Sequence, residues 1–276
     1  MSCPTIDAPW TQFGLEIAPL TLDESADLAA RTVHERGRLL VGVVNAAKIV
    51  KLRQDPVLRD SLLACDVLLA DGQSIVWASR LLRRRLPERV AGIDLFTRLL
   101  QVADAERLRV YLLGATPEVL AGVEETLRTS YPNAVLAGSR DGYFTEQESA
   151  EVADQIAAAR PDLLFLGMTT PKKEIFLASF GAGLGVPVIH GVGGSFDVLA
   201  GVTRRAPERW QRLGLEWAYR VRQEPRRLWR RYLVTNTAFL GLLASEVLHP
   251  RAPYTHAVLP RLRPASGPTQ RANRDE

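Results

Sequence analysis

Asp71 stands between an apolar run and a glycine in LLADGQS (68–74). A carboxylate at such a junction either caps the helix that follows or serves as a base at the floor of a cleft. The neighbouring residues leave both readings open. Asn45 holds the matching place after RLLVGVV (38–44), and polar or glycine-rich segments follow four later apolar runs, at 114–116, 138–143, 167–170 and 191–195. Glycines at strand-to-helix turns let a backbone approach a ligand and present helix amides to phosphate. A tight turn with no ligand explains any one of them equally well. None forms G-x-G-x-x-G or a Walker loop. The four histidines (34, 190, 249 and 256) lack metal-ligand spacing, and His190, closing an apolar run, reads as a core histidine rather than a ligand. Cys3 and Cys65 are too few for a disulfide framework and are not spaced as ligands. No metal site is expected.

The elements that must position these residues follow from the pattern. Six near-continuous apolar runs at 38–44, 66–70, 108–113, 134–138, 162–166 and 186–190 fit parallel strands covered on both faces. Helical periodicity fills the intervals 46–63, 73–83, 92–105, 117–130, 146–159 and 172–180, and Thr21 with Glu24 predicts a capped helix to about Glu35. The alternation implies an α/β fold, a Rossmann-like doubly wound and mainly parallel sheet, whose ligands bind beyond the carboxyl ends of the strands. Residues 1–202 would form this domain.

Past about Ala200 the character changes. Ten arginines between Arg204 and Arg231 face only Glu208, Glu216 and Glu224, a net +7, while the whole 276-residue chain carries +4. A neutral-to-acidic body with such a segment implies an anionic partner. Pro207 could open a helix with Trp210, Leu213, Trp217 and Val221 on one face, and a second helix would follow Pro225. Basic residues interleaved with Trp and Tyr suit an interfacial membrane element; an ordinary helical pair packed on the body is the alternative. Residues 203–248 are therefore read as a basic, Trp-rich appendage facing the membrane, and 249–276, rich in Pro and Arg, as a disordered tail. With 46% hydrophobic residues, 24% charged residues and no apolar stretch long enough to span a bilayer, the chain reads as a globular, cytoplasmic protein. Its start carries no secretory pattern.

Several long blocks resemble one family. ADGQSIVWASRLLRRRLPERVAGIDLF (70–96), VYLLGATPEV (110–119), GYF (142–144) and GVGGSFDVLAGVTRRAPERWQRLGLEWAYRVRQEPRRLWRRYL (191–233) are similar, in order, to the WecG/TagA/CpsF bacterial glycosyltransferases. The resemblance implies a hexosyltransferase that takes a sugar from a UDP-activated donor, typically N-acetylmannosamine or a relative. The acceptor would be a polyprenyl-diphosphate-linked saccharide in cell-surface polysaccharide synthesis. Transfer would proceed with inversion and need neither a metal nor another cofactor. By position, Asp71 matches the general base, Asn45 an asparagine of the same pocket and Arg89 an active-site arginine. Tyr143 and Asp197 fall where the nucleotide end of the donor is held, and Gly72, Gly114 and Gly193 are the turn glycines placed to meet it. Arg220, Arg227 and Arg230 match arginines of an appendage that closes over the site at the inner membrane face. The chain departs from the pattern twice: Val43 stands where a threonine is common, and Lys173, in Pro171-Lys172-Lys173-Glu174, where glutamine is common. Lys173 suits a more anionic donor such as a uronate, although neutral hexoses stay open.

Inverting transfer asks independently for such parts: one base for the acceptor hydroxyl proton, and positive charge on the departing diphosphate. Guanidinium forks match phosphate oxygens. Three other readings compete. A nucleotide-dependent oxidoreductase lacks its dinucleotide fingerprint, and a catalytically dead, membrane-docked scaffold would not need Asp71, Asn45 and Arg89. A nucleic-acid binder lacks any recognisable motif. Neither the donor sugar nor the oligomeric state follows from the residues.

Overall fold

The computed structural model describes residues 9–169, 172–212, 214–223 and 225–254; the side chains of Glu174, Arg212, Arg220, Arg227, Leu228 and Arg231 lie outside the description. The chain opens on a hairpin, β1 (Trp10–Gln12) and β2 (Leu15–Ile17), which the sequence pattern did not announce. Its turn uses Phe13 and Gly14 at φ 54° and 81°, the left-handed pair that suits a two-residue hairpin. Next comes α1 (Leu22–His34), held at its start by the full Thr21/Glu24 capping box.

The body alternates as the apolar runs require. Strand β3 (Leu39–Val44) leads to α2 (Ala46–Lys51) and α3 (Pro56–Leu63), then β4 (Val67–Ala70) to α4 (Gln73–Leu81) and α5 (Gly92–Glu106). After these come β5 (Arg109–Gly114), α6 (Pro117–Ser130), β6 (Val135–Arg140) and α7 (Ser149–Ala159). The sheet is completed by β7 (Leu163–Gly167), α8 (Lys172–Phe180) and β8 (Val188–Gly191), followed by α9 (Ser195–Leu199). One helix expected over 46–63 is two, because Pro56 starts a new helix under the Asp55 cap.

Six strands form one parallel sheet in the order β4-β3-β8-β7-β5-β6. Alternate residues serve opposite cores. Val41, Val43, Leu69, Leu112 and Phe165 meet α1, α5, α6 and Phe196 of α9 on one face. Val44, Leu68 and Ala70 meet α2, α3 and α4 on the other, where Leu113, Leu164 and Leu166 meet α7 and α8. Adjacent β3 and β8 thus send their chains to opposite faces, and so do adjacent β5 and β7. Such divergence opens a crevice at the carboxyl edge. At the second opening Gly114 (φ 131°) lies so close to β7 that a Cβ would meet the Gly167 carbonyl carbon at 2.5 Å. Only glycine fits there.

The C-terminal segment corrects the expected helix over 207–221. It divides into α10 (Glu208–Arg212) and α11 (Glu216–Gln223), since Gly214 turns left-handed at φ 68°. Trp210 and Trp217 therefore sit on different helices: Trp210 packs edge-on against Tyr219, and Trp217 tilts against Tyr232. Leu213 lies outside the described residues. Helix α12 (Pro225–Leu248) follows Pro225 as expected, and its far half joins the body. Phe239 is buried beside Phe13, with ring centroids 5.4 Å apart, and Leu242 and Leu243 pack on the same core. The buried Glu246 accepts hydrogen bonds from the Phe13 and Arg251 amides. Beyond α12, Tyr254 donates its amide to the Gly14 carbonyl at 2.8 Å and lays its ring where a Gly14 side chain would be. The rest of the tail, 255–276, lies outside the described residues. Among the described residues, no helix is long and apolar enough to cross a membrane.

Candidate active site

The carboxyl edge of β3 and β4 gathers the first group of residues. Asn45 is the N-cap of α2: its Oδ1 accepts from the Lys48 amide at 3.1 Å, which fixes the side chain. Its Nδ2 then donates to Asp71 Oδ2 at 3.3 Å. Asp71 does not cap α4, whose N-cap is Gly72 with no side-chain bond. Its Oδ1 accepts instead from the Gly92 amide, the first of α5, at 3.2 Å. Both oxygens are thus steered by donors from different elements, and each keeps a further lone-pair direction. Gly72 lies against Asn45, whose Cβ would be 3.3 Å from a side chain there.

Three residues before Gly92 on the same segment, Arg89 enters a four-charge seam. Its Nη1 donates to Glu216 Oε2 at 2.5 Å and its Nη2 lies 3.6 Å from Asp94 Oδ2. Arg205 forks onto both Asp94 oxygens at 2.5 and 2.8 Å and reaches Glu216 Oε1 at 3.4 Å. Burial works against the Arg205 charge, but the hydrogen bonds and charge of Asp94, with Glu216, outweigh it and push its pKa up. Two guanidiniums and two carboxylates therefore join α5 of the body to α11 of the appendage. Sequence reasoning selected Arg89 and missed Asp94, Arg205 and Glu216. All three lay in the quoted family blocks, but nothing in one dimension pairs residues 94, 205 and 216.

A second group forms at the β5/β7 opening. The Gly142 amide donates to the Ala115 carbonyl beside Gly114, and Tyr143 stands 74% exposed just beyond. Lys172, unremarked in the sequence, holds this loop: its Nζ donates to the Gly142 and Phe144 carbonyls and lies 3.7 Å from the Phe144 ring centroid. Burial lowers its pKa, with the nearby Asp141 and Glu148 charges opposing. Lys173 lies along Gly191, its Nζ 3.1 Å from where a Cβ would sit. It lines a cavity of about 80 Å³ with Val43 and Lys48, so the two departures from the family pattern share one space. Gly193 (φ 52°) and Asp197 follow at the turn into α9 and within it.

The structure brings Asn45, Asp71 and Gly72 together, and Gly114 with the segment preceding Tyr143. Arg230 is exposed on α12, while the side chains of Arg220 and Arg227 lie outside the described residues. Among the described residues, no three His, Cys, Asp or Glu side chains form a metal-binding group.

The sequence signature described as "Glycosyl transferase WecG/TagA/CpsF family" matches residues 10–253. The chain is also similar to two proteins, each named N-acetylglucosaminyldiphosphoundecaprenol N-acetyl-beta-D-mannosaminyltransferase. The one from Bacillus spizizenii (strain W23) is 38% identical over 205 residues, 74% of this chain and 79% of that protein. The one from Bacillus subtilis (strain 168) is 40% identical over 187 residues, 68% of this chain and 72% of that protein. The oxidoreductase and nucleic-acid readings fall away on this agreement. With the sheet, the edge residues and the matched blocks in accord, the chain is a glycosyltransferase and belongs to the WecG/TagA/CpsF family.

Proposed function

We propose that this enzyme transfers a hexose of the N-acetylmannosamine type from a UDP-sugar to a saccharide carried on a polyprenyl diphosphate. The reaction inverts the anomeric centre and needs no metal. The names of the two Bacillus relatives support the sugar and the lipid-linked acceptor. The observation that carries the chemistry is Asp71, oriented by Asn45 and the α5 amide at the carboxyl edge of the sheet.

In this reading the acceptor hydroxyl gives its proton to Asp71 as its oxygen attacks the anomeric carbon. The bond from that carbon to the donor diphosphate breaks, and UDP leaves with the electron pair. Guanidinium groups meet the developing charge; Arg89 supplies one by exchanging part of its bonding to Glu216 for phosphate oxygen. The exposed Trp217 and Trp229, with the arginines around them, favour seating on the inner membrane face, where a polyprenyl carrier resides.

The test is a screen of UDP-sugars against a short-chain soluble acceptor, run on the wild type and Asp71→Asn. Turnover of the variant is expected to fall by roughly 10²–10⁴, the usual worth of a positioned base, with UDP binding little changed. Near-wild-type turnover would remove Asp71 from the role. Activity should persist in excess EDTA, and a loss restored by Mg²⁺ or Mn²⁺ would overturn the metal-free part.

A further inference from the structure

We propose that His190 is a positioning residue for Asp71, acting through the backbone of Gly92. His190 is fully buried on β8, in register with Val41 of β3 and Phe165 of β7. Its side chain therefore rises on the face those two residues share, where α5 begins. There Nε2 lies 3.1 Å from the Gly92 carbonyl oxygen and Nδ1 3.4 Å from that of Val41.

Both neighbours are acceptors, whereas a neutral imidazole has a single N–H. Burial keeps the ring neutral, pushing its pKa down to about 4; the two carbonyls oppose this, and the Lys173 and Lys48 charges add to it. The shorter contact assigns the proton to Nε2, which donates to Gly92. The Gly92 amide, in turn, donates to Asp71 Oδ1 at 3.2 Å. One residue is thus gripped at its carbonyl by His190 while its N–H sets an oxygen of Asp71.

As the first residue of α5, Gly92 is placed by where that helix begins, not by any constraint of its own. It has no left-handed φ, and a Cβ there would meet Val43 Cγ2 at an ordinary 3.5 Å. The preceding anchor is the Val90 amide on the Ala70 carbonyl, two residues upstream. An apolar side chain at 190 could fill the volume, but the first turn of α5 would lose its tie to the middle of the sheet. A carboxylate misplaced by about 1 Å loses alignment with its proton donor, and such an error costs about 100-fold in rate.

The inference rests on the reading of Asp71 as the base, and the experiment separates the two. His190→Leu and His190→Gln are made in the full-length protein, each also in the Asp71→Asn background. His190→Leu is expected to lower kcat about ten- to a hundredfold, with KM for the UDP-sugar changed less than about twofold. His190→Gln, whose amide nitrogen can donate to the same carbonyl, should stay within about threefold of wild type. In the Asp71→Asn background, His190→Leu should cost less than about a further twofold, since coupled residues are not additive. A wild-type kcat for His190→Leu overturns the proposal, as does an equal loss in both backgrounds, which marks a purely structural role. A near-wild-type Asp71→Asn overturns the base reading instead. The ¹⁵N spectrum of the wild-type imidazole at pH 7 stands apart from any folding defect in the variants: an Nε2–H tautomer is expected, and an Nδ1–H tautomer or an imidazolium refutes the assignment.

Discussion

At the end of β4, Asp71 has the sequence position of a helix cap, and its oxygens go elsewhere. One accepts from a side chain 26 residues earlier and the other from an amide 21 residues later. The sequence offered the carboxylate and the glycine turn but not those partners, because Asn45 arrives through the β3–β4 pairing and Gly92 at the start of α5. The resemblance offered Asn45 as a pocket residue, and its capping of α2 gives the physical reason it can aim Nδ2 at Asp71. His190 was read as a core histidine, and it is one; what could not be read is that its single N–H serves the segment below Asp71. Its depressed pKa has a consequence for stability. Above the usual histidine value of about 6.5 both folded and unfolded chains are neutral there. Between that value and about 4, the unfolded chain takes up a proton that the folded one refuses. Stability should thus decline as pH falls through this window, by up to about 3 kcal/mol from this group. Urea unfolding of wild type and His190→Gln at pH 7, 6 and 5 checks this, because effects of the shared carboxylates cancel in the difference. The wild type should lose ground to the variant as pH drops; a constant difference would contradict the assigned shift.

Among the elements, α5 and α11 are the pair that matters most. Strand and helix positions in the body were legible because near-continuous apolar runs and 3.6-residue periodicity specify buried parallel strands and their covering helices. The hairpin over 10–17 escaped because its strands are three residues each, too short for a period to register. The break at Gly214 escaped because a tryptophan at 210 and another at 217 mimic one helical face across it. The seam of Arg89, Asp94, Arg205 and Glu216 lies across that same junction. It is shielded, with the Arg89 side chain 13% exposed, so removal of Glu216 leaves two partly buried guanidiniums sharing Asp94 alone. Glu216→Ala is expected to destabilise the protein by about 2 kcal/mol in urea unfolding. In a cycle with Arg89→Ala, the double variant should lose at least about 1 kcal/mol less than the two single losses together. Strict additivity would show that the two side chains do not share an interaction.

For the molecule as a whole, charge and apolar surface are concentrated at one end of the sequence. Trp229, Leu233 and Leu240, spaced by four and seven residues, lie exposed along one face of α12, with Arg226 and Arg230 close by in sequence. Apolar residues flanked by cations suit an anionic bilayer, to which each arginine near the surface contributes about 1 kcal/mol. The double substitution Trp229→Ser with Leu233→Ser should lower co-sedimentation with phosphatidylglycerol vesicles several-fold and leave turnover on a soluble acceptor unchanged. Undiminished sedimentation of the variant, or none by the wild type, would refute docking through this face. Deleting the whole segment is a poorer test than the composition suggested. Phe239, Leu242 and Leu243 belong to the core that holds Phe13 and Ile49, so a chain ending near Val202 would open that core.

The clasp between the hairpin turn and Glu246 and Tyr254 also brings the two ends of the described chain to one spot. Within the described residues, the turn at 13–14 and the segment 246–254 are neighbours. A permuted gene that links those ends and starts anew in the exposed turn at 132–133, between α6 and β6, would keep every strand pairing and both groups of edge residues. In such a permuted chain the arginine-rich helices become an internal stretch instead of a terminal one. A label or a surface tether could then be attached between α6 and β6, leaving both the hairpin and the end of α12 unencumbered.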